Sequence, residues 1–179
     1  AEGEAYSPIV AAGPNGALPH AIPTDREFRQ GDFIVIDAAA KYGGYHADMT
    51  RTPVVKKATD RHHEIYSIVK EAQKRGCDAA KSGVKCKVVD AATRDYITDK
   101  GYGDCYTHGT GHGLGLEIHT IPRFSPKSEE VLKKNNVMTI EPGIYIAGWG
   151  GVRIEDDVII KDNGCEILNK TTKDIIEIN

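Results

Sequence analysis

The stretch from His108 to His119, HGTGHGLGLEIH, holds three histidines among four glycines. Imidazole this dense in so pliable a stretch suits coordination or proton transfer. Two carboxylates upstream, Asp37 and Asp48, and two downstream, Glu141 and Glu155, each sit inside a run that reads as a strand. A carboxylate in a buried strand is costly unless it is paired or bound to a cation. With His112 the four make an oxygen-rich donor set suited to manganese, cobalt, zinc or iron, manganese being favoured by the carboxylate count. Four negative charges balance two divalent ions, whereas a single ion leaves the site negative, so two metals are expected. A metal pair roughly 3.5–4 Å apart can activate a bridging water and polarise a carbonyl oxygen. That is chemistry for hydrolysis.

The elements that must position these groups follow in chain order. Pro14-Asn15-Gly16 is a turn signal, and Pro19 and Pro23 bracket His20 in a stiff, extended segment. Such a histidine fits an acid/base or substrate contact as well as a plain surface loop. The next run, GDFIVIDAAAKYGGYHADMTRTPVV, reads as a β-hairpin with its turn at Tyr42-Gly43-Gly44. Phe33 to Ala39 is apolar on both faces, as in a doubly buried strand, and His46, Asp48 and Thr50 share a face by the period of two. The hairpin can bring Asp37 beside Asp48, where two like charges require a proton or a cation between them.

Two helices come next. One runs from Asp60 to about Ser82, capped by Thr59 or Asp60 and stopped by Gly83, with Ile65, Ile68, Val69, Ala72 and Ala79 on its apolar face. His62 and His63 in its first turn are expected to be solvent-exposed. The second runs from about Lys87 to Lys100, with Val88, Ala92 and Tyr96 as its buried stripe and Gly101 as its stop. Arg123 to Asn136 is a polar connection with a short helix expected around Glu129 to Lys133. VMTIEPGIYI and GGVRIEDDVIIKDNGCEIL then read as strands, with a glycine-rich turn at Gly148 to Gly151 and a hairpin turn at Asp162-Asn163-Gly164. Arg153, Glu155 and Asp157 share one strand face, which is either a solvated charged surface or part of a site. Each half thus offers a strand pair carrying two carboxylates, a rough internal echo.

The composition sets bounds. A chain of 179 residues with 40% apolar and 27% charged residues is the size and make-up of one globular domain. The net charge of −3 is spread along the chain, which argues against a nucleic-acid partner. No apolar run reaches the roughly 20 residues of a membrane span, and the acidic N-terminus is unlike a signal peptide, so a cytoplasmic protein is expected. Cys77, Cys86, Cys105 and Cys165 show no zinc spacing and read as reduced, partly buried thiols.

The segments GPNGALPHAIPTDR, VIDAAAKYGGYHADMTRT, HGTGHGLGLEIHTIP, TIEPGIYI and GGVRIEDDVII resemble, in order, the catalytic domain of the metallopeptidases that include methionine aminopeptidase, aminopeptidase P and prolidase. The resemblance implies the pita-bread fold, an α+β architecture with a pseudo-twofold repeat around a curved, mostly antiparallel sheet. It implies Asp37 and Asp48 as metal ligands from the first half and His112, Glu141 and Glu155 from the second, with Asp48 and Glu155 bridging or nearly bridging two ions. It also implies that His20 lines the pocket and assists proton transfer, and that His119 contacts the scissile peptide and steadies the tetrahedral intermediate. His108 and Arg153 match positions that hold the proline side and the substrate carboxylate, and Glu141 doubles as acid/base.

HGTGHG, EPGIYI and GGVRIEDD look more like the prolidase and aminopeptidase P branch, which implies a peptide substrate with proline at its second position. Thr120 departs from the family pattern, where an acidic residue commonly follows the histidine. Relatives carry two further helices in this domain, so residues 1–179 are expected to be a metallopeptidase domain incomplete at its N-terminus, forming a homo-oligomer or associating with the absent segment. An inactive fragment or a non-catalytic peptide-binding module of the same fold is the competing reading. A nucleotide-binding enzyme is discounted, because HGTGHGLG contains neither GxGxxG nor a following GK[ST].

Overall fold

The computed structural model describes residues 1–179. Strands β1 (Gly3–Glu4) and β2 (Ile9–Ala12) flank Tyr6, and a 3-10 turn at Gly13–Ala17 follows. The expected hairpin is β3 (Ile34–Tyr42) and β4 (Tyr45–Arg51), turning through Gly43 and Gly44 at φ 58° and 80°, where a side chain would be strained. Its antiparallel register sets Asp37 opposite Thr50 and Ala39 opposite Asp48, so both aspartates lie on one face, a diagonal step apart. The other edge of β3 carries both β1 and β2. One expectation needs correcting here. β3 starts buried on both sides at Ile34 and Val35, but from there on only one side is: Asp37 and Ala39 are inside, whereas Ile36, Ala38 and Ala40 are exposed. An antiparallel sheet can leave one face open, and two of those outward residues are alanines, which have little apolar surface to hide.

After β5 (Val54–Val55) come the helices α1 (Asp60–Ala79) and α2 (Cys86–Asp99). α1 starts at Thr59 as expected but stops short of Ser82, and Gly83 sits in the following turn at φ 86°. His62 is not exposed: it is 4% accessible, its Nδ1 accepts the Thr59 N–H at 3.0 Å, and its Nε2 donates to Gly31 O at 2.9 Å. That pairing caps the helix and lets the ring pack against Phe33 and Trp149. His63 is exposed, as expected. α1 buries Ile65, Ile68, Val69 and Ala72, continued by Gly76 rather than Ala79, because a Cβ at Gly76 would lie 2.8 Å from both Ile140 and Thr93. The stripe of α2 is also corrected. It buries Cys86, Val89, Asp90, Thr93 and Ile97, while Val88 is 49% exposed and Ala92 and Tyr96 are half-buried.

The second half begins after a 3-10 turn at Gly103–Cys105. Strands β6 (Gly111–Gly113), β7 (Thr120–Phe124), β8 (Val137–Ile140), β11 (Asp156–Lys161) and β12 (Gly164–Ile167) form a sheet in the order β12-β11-β8-β6-β7. Between them β9 (Gly143–Ile146) pairs with β10 (Gly150–Arg153). All these ladders are antiparallel, and β13 (Glu177–Ile178) adds one parallel pairing, with β5. No helix forms at Glu129 to Lys133. The Cys86 N–H donates to Glu130 O and the Leu132 N–H to Val84 O, so this segment satisfies its backbone by extended pairing in front of α2.

Two apolar clusters sit beneath the strands. One joins Ile65 and Val69 of α1 to Ile144, Val152 and Ile154; the other joins Cys86 and Val89 of α2 to Met138, Ile140, Val158 and Ile160. The halves meet along β4. Asp48 N–H donates to Asp157 Oδ2 at 2.9 Å, Glu155 N–H to Thr50 O at 3.2 Å, and Thr52 Oγ1 to Arg153 O at 2.8 Å. This seam carries the site.

Candidate metal centre and substrate pocket

Glu141 and Glu155 do not lie inside strands. Each follows the end of one, Glu141 in the break between β8 and β9 and Glu155 in the break between β10 and β11. The break at Glu141-Pro142 has a local cause, since proline has no N–H to continue a ladder. Arg153, Glu155 and Asp157 are all buried, Glu155 to 1% exposure, so the solvated-face reading of this run is excluded.

Asp48, His112 and Glu155 each point one donor atom into a cluster whose atoms lie within 4.8 Å of one another. Glu141 adjoins it, with Oε1 3.3 Å from His112 Nε2, and Asp48 Oδ2 is 3.9 Å from the same nitrogen. His112 Nδ1 donates to Gly113 O at 3.0 Å, which leaves Nε2 facing the carboxylates. Burial works to lower the His112 pKa, but Glu141 and Asp48 outweigh it and raise it, so the cation this nitrogen would bind takes the place of a proton; the outer hydrogen bond is the usual support of a metal-ligating histidine. Asp37 joins Asp48 through the Tyr6 hydroxyl, which lies within hydrogen-bond distance of both, and Asp37 also accepts from Arg153 Nη2.

The electrostatics fit the same conclusion. Burial pushes the Asp48 carboxyl up to about 7 against its Tyr6 hydrogen bond, and the charges of Asp37 and Glu141 add to the rise. Burial also lifts Glu155 well above the carboxylate range, helped by Glu141, Asp48 and Asp37. Burial works on Glu141 too, but His112, His108 and Arg153 outweigh it and hold that carboxyl at about 2. Four acids crowd around too little positive charge. Divalent cations, bound by hard oxygen donors and one imidazole, are the chemistry that relieves this.

The donors form one wall of a cavity of ≈ 360 Å³ that is also lined by His20, His108, His119 and Arg153. His119 stacks obliquely on His112, ring centroids 4.3 Å apart, and burial with the neighbouring His112 charge lowers its pKa. His108 Nδ1 donates to Gly109 O at 2.8 Å, so its Nε2 accepts from the Tyr145 hydroxyl at 2.7 Å. Arg153 is buried, and besides Asp37 it donates to Thr50 Oγ1, Tyr145 OH and Pro19 O, so four of its five guanidinium N–H groups are used. His20 stands exposed at the rim.

Residues 1–162 match the model of metallopeptidase family M24. The chain belongs to this family. It is 49% identical over 176 residues to the Xaa-Pro dipeptidase of Pyrococcus furiosus, an alignment covering 98% of this chain and 51% of that protein. Among solved structures it is similar to the X-Pro aminopeptidase from Thermotoga maritima (45% identity, TM-score 0.97, 99% of this chain and 51% of that one). The prolidase from Pyrococcus furiosus is a second (50% identity, TM-score 0.94, 96% and 51%). The architecture is therefore the pita-bread fold expected from the motifs, and the chain spans about half the length of the curated relatives it matches.

Several supports of this M24 site carry no signal in residue spacing. Tyr6, 31 residues from Asp37 in sequence, bridges the two aspartates, and Tyr145 links His108 to Arg153. Thr139 was findable, since it lies two residues before Glu141 and shares its side. Its hydroxyl accepts the His112 N–H and donates to Glu141 Oε1, both at 3.0 Å. Thr50 does the same for the other pair, donating to Glu155 Oε2 at 2.6 Å while accepting from Arg153 Nε. Gly111 is set by close approach, because a Cβ there would lie 2.0 Å from Thr139 O.

Proposed function

We propose that this chain is a metallopeptidase catalytic domain that hydrolyses the bond between an N-terminal residue and proline, with two divalent ions held by Asp37, Asp48, His112, Glu141 and Glu155. The observation that carries the reading is the convergence of these five side chains with His20, His108, His119 and Arg153 on one cavity, although they are spread from residue 20 to residue 155. When bound, the metals supply Lewis acidity to the peptide carbonyl and to the attacking water. Manganese is the favoured ion, because four of the five donors are carboxylates.

The chain's own groups divide the remaining work. Glu141 is held ionised, next to His112, and is the base that accepts a proton from the attacking water. His119, neutral at pH 7 by its lowered pKa, offers an N–H to the developing oxyanion. His108, neutral for the same reason of burial, keeps its acceptor on Tyr145 and presents a flat ring to the proline side. His20 at the rim moves protons between pocket and solvent. Arg153 lines the cavity and orients Asp37 and Tyr145. A cytoplasmic setting belongs to the same reading and is supported by the four free thiols.

The test is elemental analysis of the purified chain together with hydrolysis of an Xaa-Pro dipeptide in added manganese. Two metals per chain with turnover are expected. Folded protein that takes up no metal and hydrolyses nothing would shift the reading to a peptide-binding module.

A further inference from the structure

Away from the ligands, the molecule buries one carboxylate on a helix. Asp90 of α2 is 1% exposed. Its Oδ2 accepts from Arg94 Nε at 2.7 Å, and its Oδ1 accepts from Arg94 Nη2 at 2.9 Å, from the Thr110 N–H at 3.1 Å and from Thr110 Oγ1 at 2.9 Å. Arg94 is not used up by this ion pair. Its Nη1 donates to Tyr106 O at 3.1 Å and its Nη2 to His108 O at 2.7 Å, while the guanidinium lies 4.3 Å from the centre of the Tyr106 ring. Thr110 is further tied by Thr93 Oγ1 at 2.6 Å and Tyr106 OH at 2.8 Å. From Thr110 the path reaches the site, because Thr110 O accepts the Glu141 N–H at 2.8 Å.

We propose that Asp90 and Arg94 form a positioning clamp for the pocket, fixing the main chain from Tyr106 to Thr110 and through it both the His108 imidazole and the backbone of Glu141. The geometry separates this role from that of an ordinary helix ion pair. An i,i+4 pair that merely stabilises α2 belongs on the surface and needs no partners beyond the helix. Here the carboxylate is buried, and a buried pair gives weak stabilisation in general, since desolvation offsets its Coulomb gain. What the burial achieves is reach across to the 106–110 segment, for which a planar guanidinium is suited and a lysine is not: one fork grips Asp90, and the outer N–H groups grip two carbonyls. Neither residue touches the cavity, and both act through His108 and Glu141.

The turnover arm of the test rests on the peptidase reading; the structural arm does not. Arg94→Gln and Arg94→Lys are made in the full chain, and each is loaded with manganese. Amide hydrogen exchange over residues 106–112, metal content, melting temperature, and kcat and KM on an Xaa-Pro dipeptide are then measured. Arg94→Gln is expected to exchange at least about tenfold faster at His108 to His112 and to lose about tenfold or more in kcat/KM, the scale of a lost outer support, with the metals retained. Arg94→Lys keeps the charge beside Asp90, so it is expected to melt near the parent yet recover neither exchange protection nor kcat/KM. Should Arg94→Gln fail to fold, the lysine variant alone decides. Full recovery in Arg94→Lys, or unchanged protection in Arg94→Gln, overturns the clamp. A parent chain without turnover is a failure of the peptidase reading instead, and the exchange arm still decides the clamp.

Discussion

The raised carboxyls make metal affinity a function of pH, with a sign and a size. Without metal, Asp48 binds its proton up to about pH 7, whereas in the unfolded chain it would release it near 4. Its folded pKa is raised, so the metal-free fold is favoured by protonation and loses that contribution as pH climbs from about 4 towards 7. A metal requires the ionised form and must displace the proton. The apparent dissociation constant therefore scales as one plus the protonated-to-ionised ratio of Asp48, which for a pKa of about 7 is about 11 at pH 6 and about 1.1 at pH 8. Affinity should rise about tenfold over that interval from Asp48 alone, and Glu155, raised well above the carboxylate range, adds to it in the same direction. For comparison, a site limited by one ordinary histidine of pKa near 6.5 gives only about fourfold. The assay is manganese titration against a competing chelator at pH 6, 7 and 8, repeated by calorimetry in two buffers of different ionisation enthalpy to count released protons. Melting without metal should also fall from pH 6 to pH 8, and melting with metal should not. A dissociation constant that shifts by fourfold or less, with no proton released at pH 6, would refute the claim that these acids are held protonated by burial and mutual repulsion.

Four substitutions probe individual groups of the site. Asp48→Asn or Glu155→Gln should abolish both metal occupancy and turnover, because a neutral amide cannot balance the ion's charge; two bound metals in either variant would remove that residue from the ligand set. His119→Ala should retain the metals and slow turnover by about 10²-fold or more, as for a lost oxyanion donor, and an unchanged rate excludes it from the mechanism. Thr139→Val keeps the shape but leaves the buried His112 N–H without its acceptor and Glu141 without its donor. Metal affinity by chelator competition should fall about 10- to 100-fold, and parental affinity would show that the backbone alone orients both ligands.

What could and could not be read from the chain has a physical pattern. The hairpin was legible because alternation and a Gly-Gly turn are local, and the period of two then put Asp48 and Thr50 on one side without any knowledge of the fold. The candidate ligands stood out because acids inside apolar runs carry a visible cost. Glu141 and Glu155 were assigned to strands for the same reason, yet the strands break at these residues, and only the structure shows that the breaks turn their carboxylates towards His112. The misread stripe of α2 follows from how periodicity is scored. Counting apolar residues selects Val88, Ala92 and Tyr96, because Asp90 and Thr93 are assigned to water, but these two are buried since their partners, Arg94 and Thr110, satisfy them. His62 misleads in the same way, a polar ring buried because Thr59 and Gly31 use both its nitrogens. Pattern reasoning thus fails where polar groups find long-range partners, and on α2 those partners lead to His108 and Glu141. A helix whose apolar pattern and actual burial disagree by one position is, on this argument, a sign that the buried polar face is holding something in place, which is where a search for residues that position a site should begin.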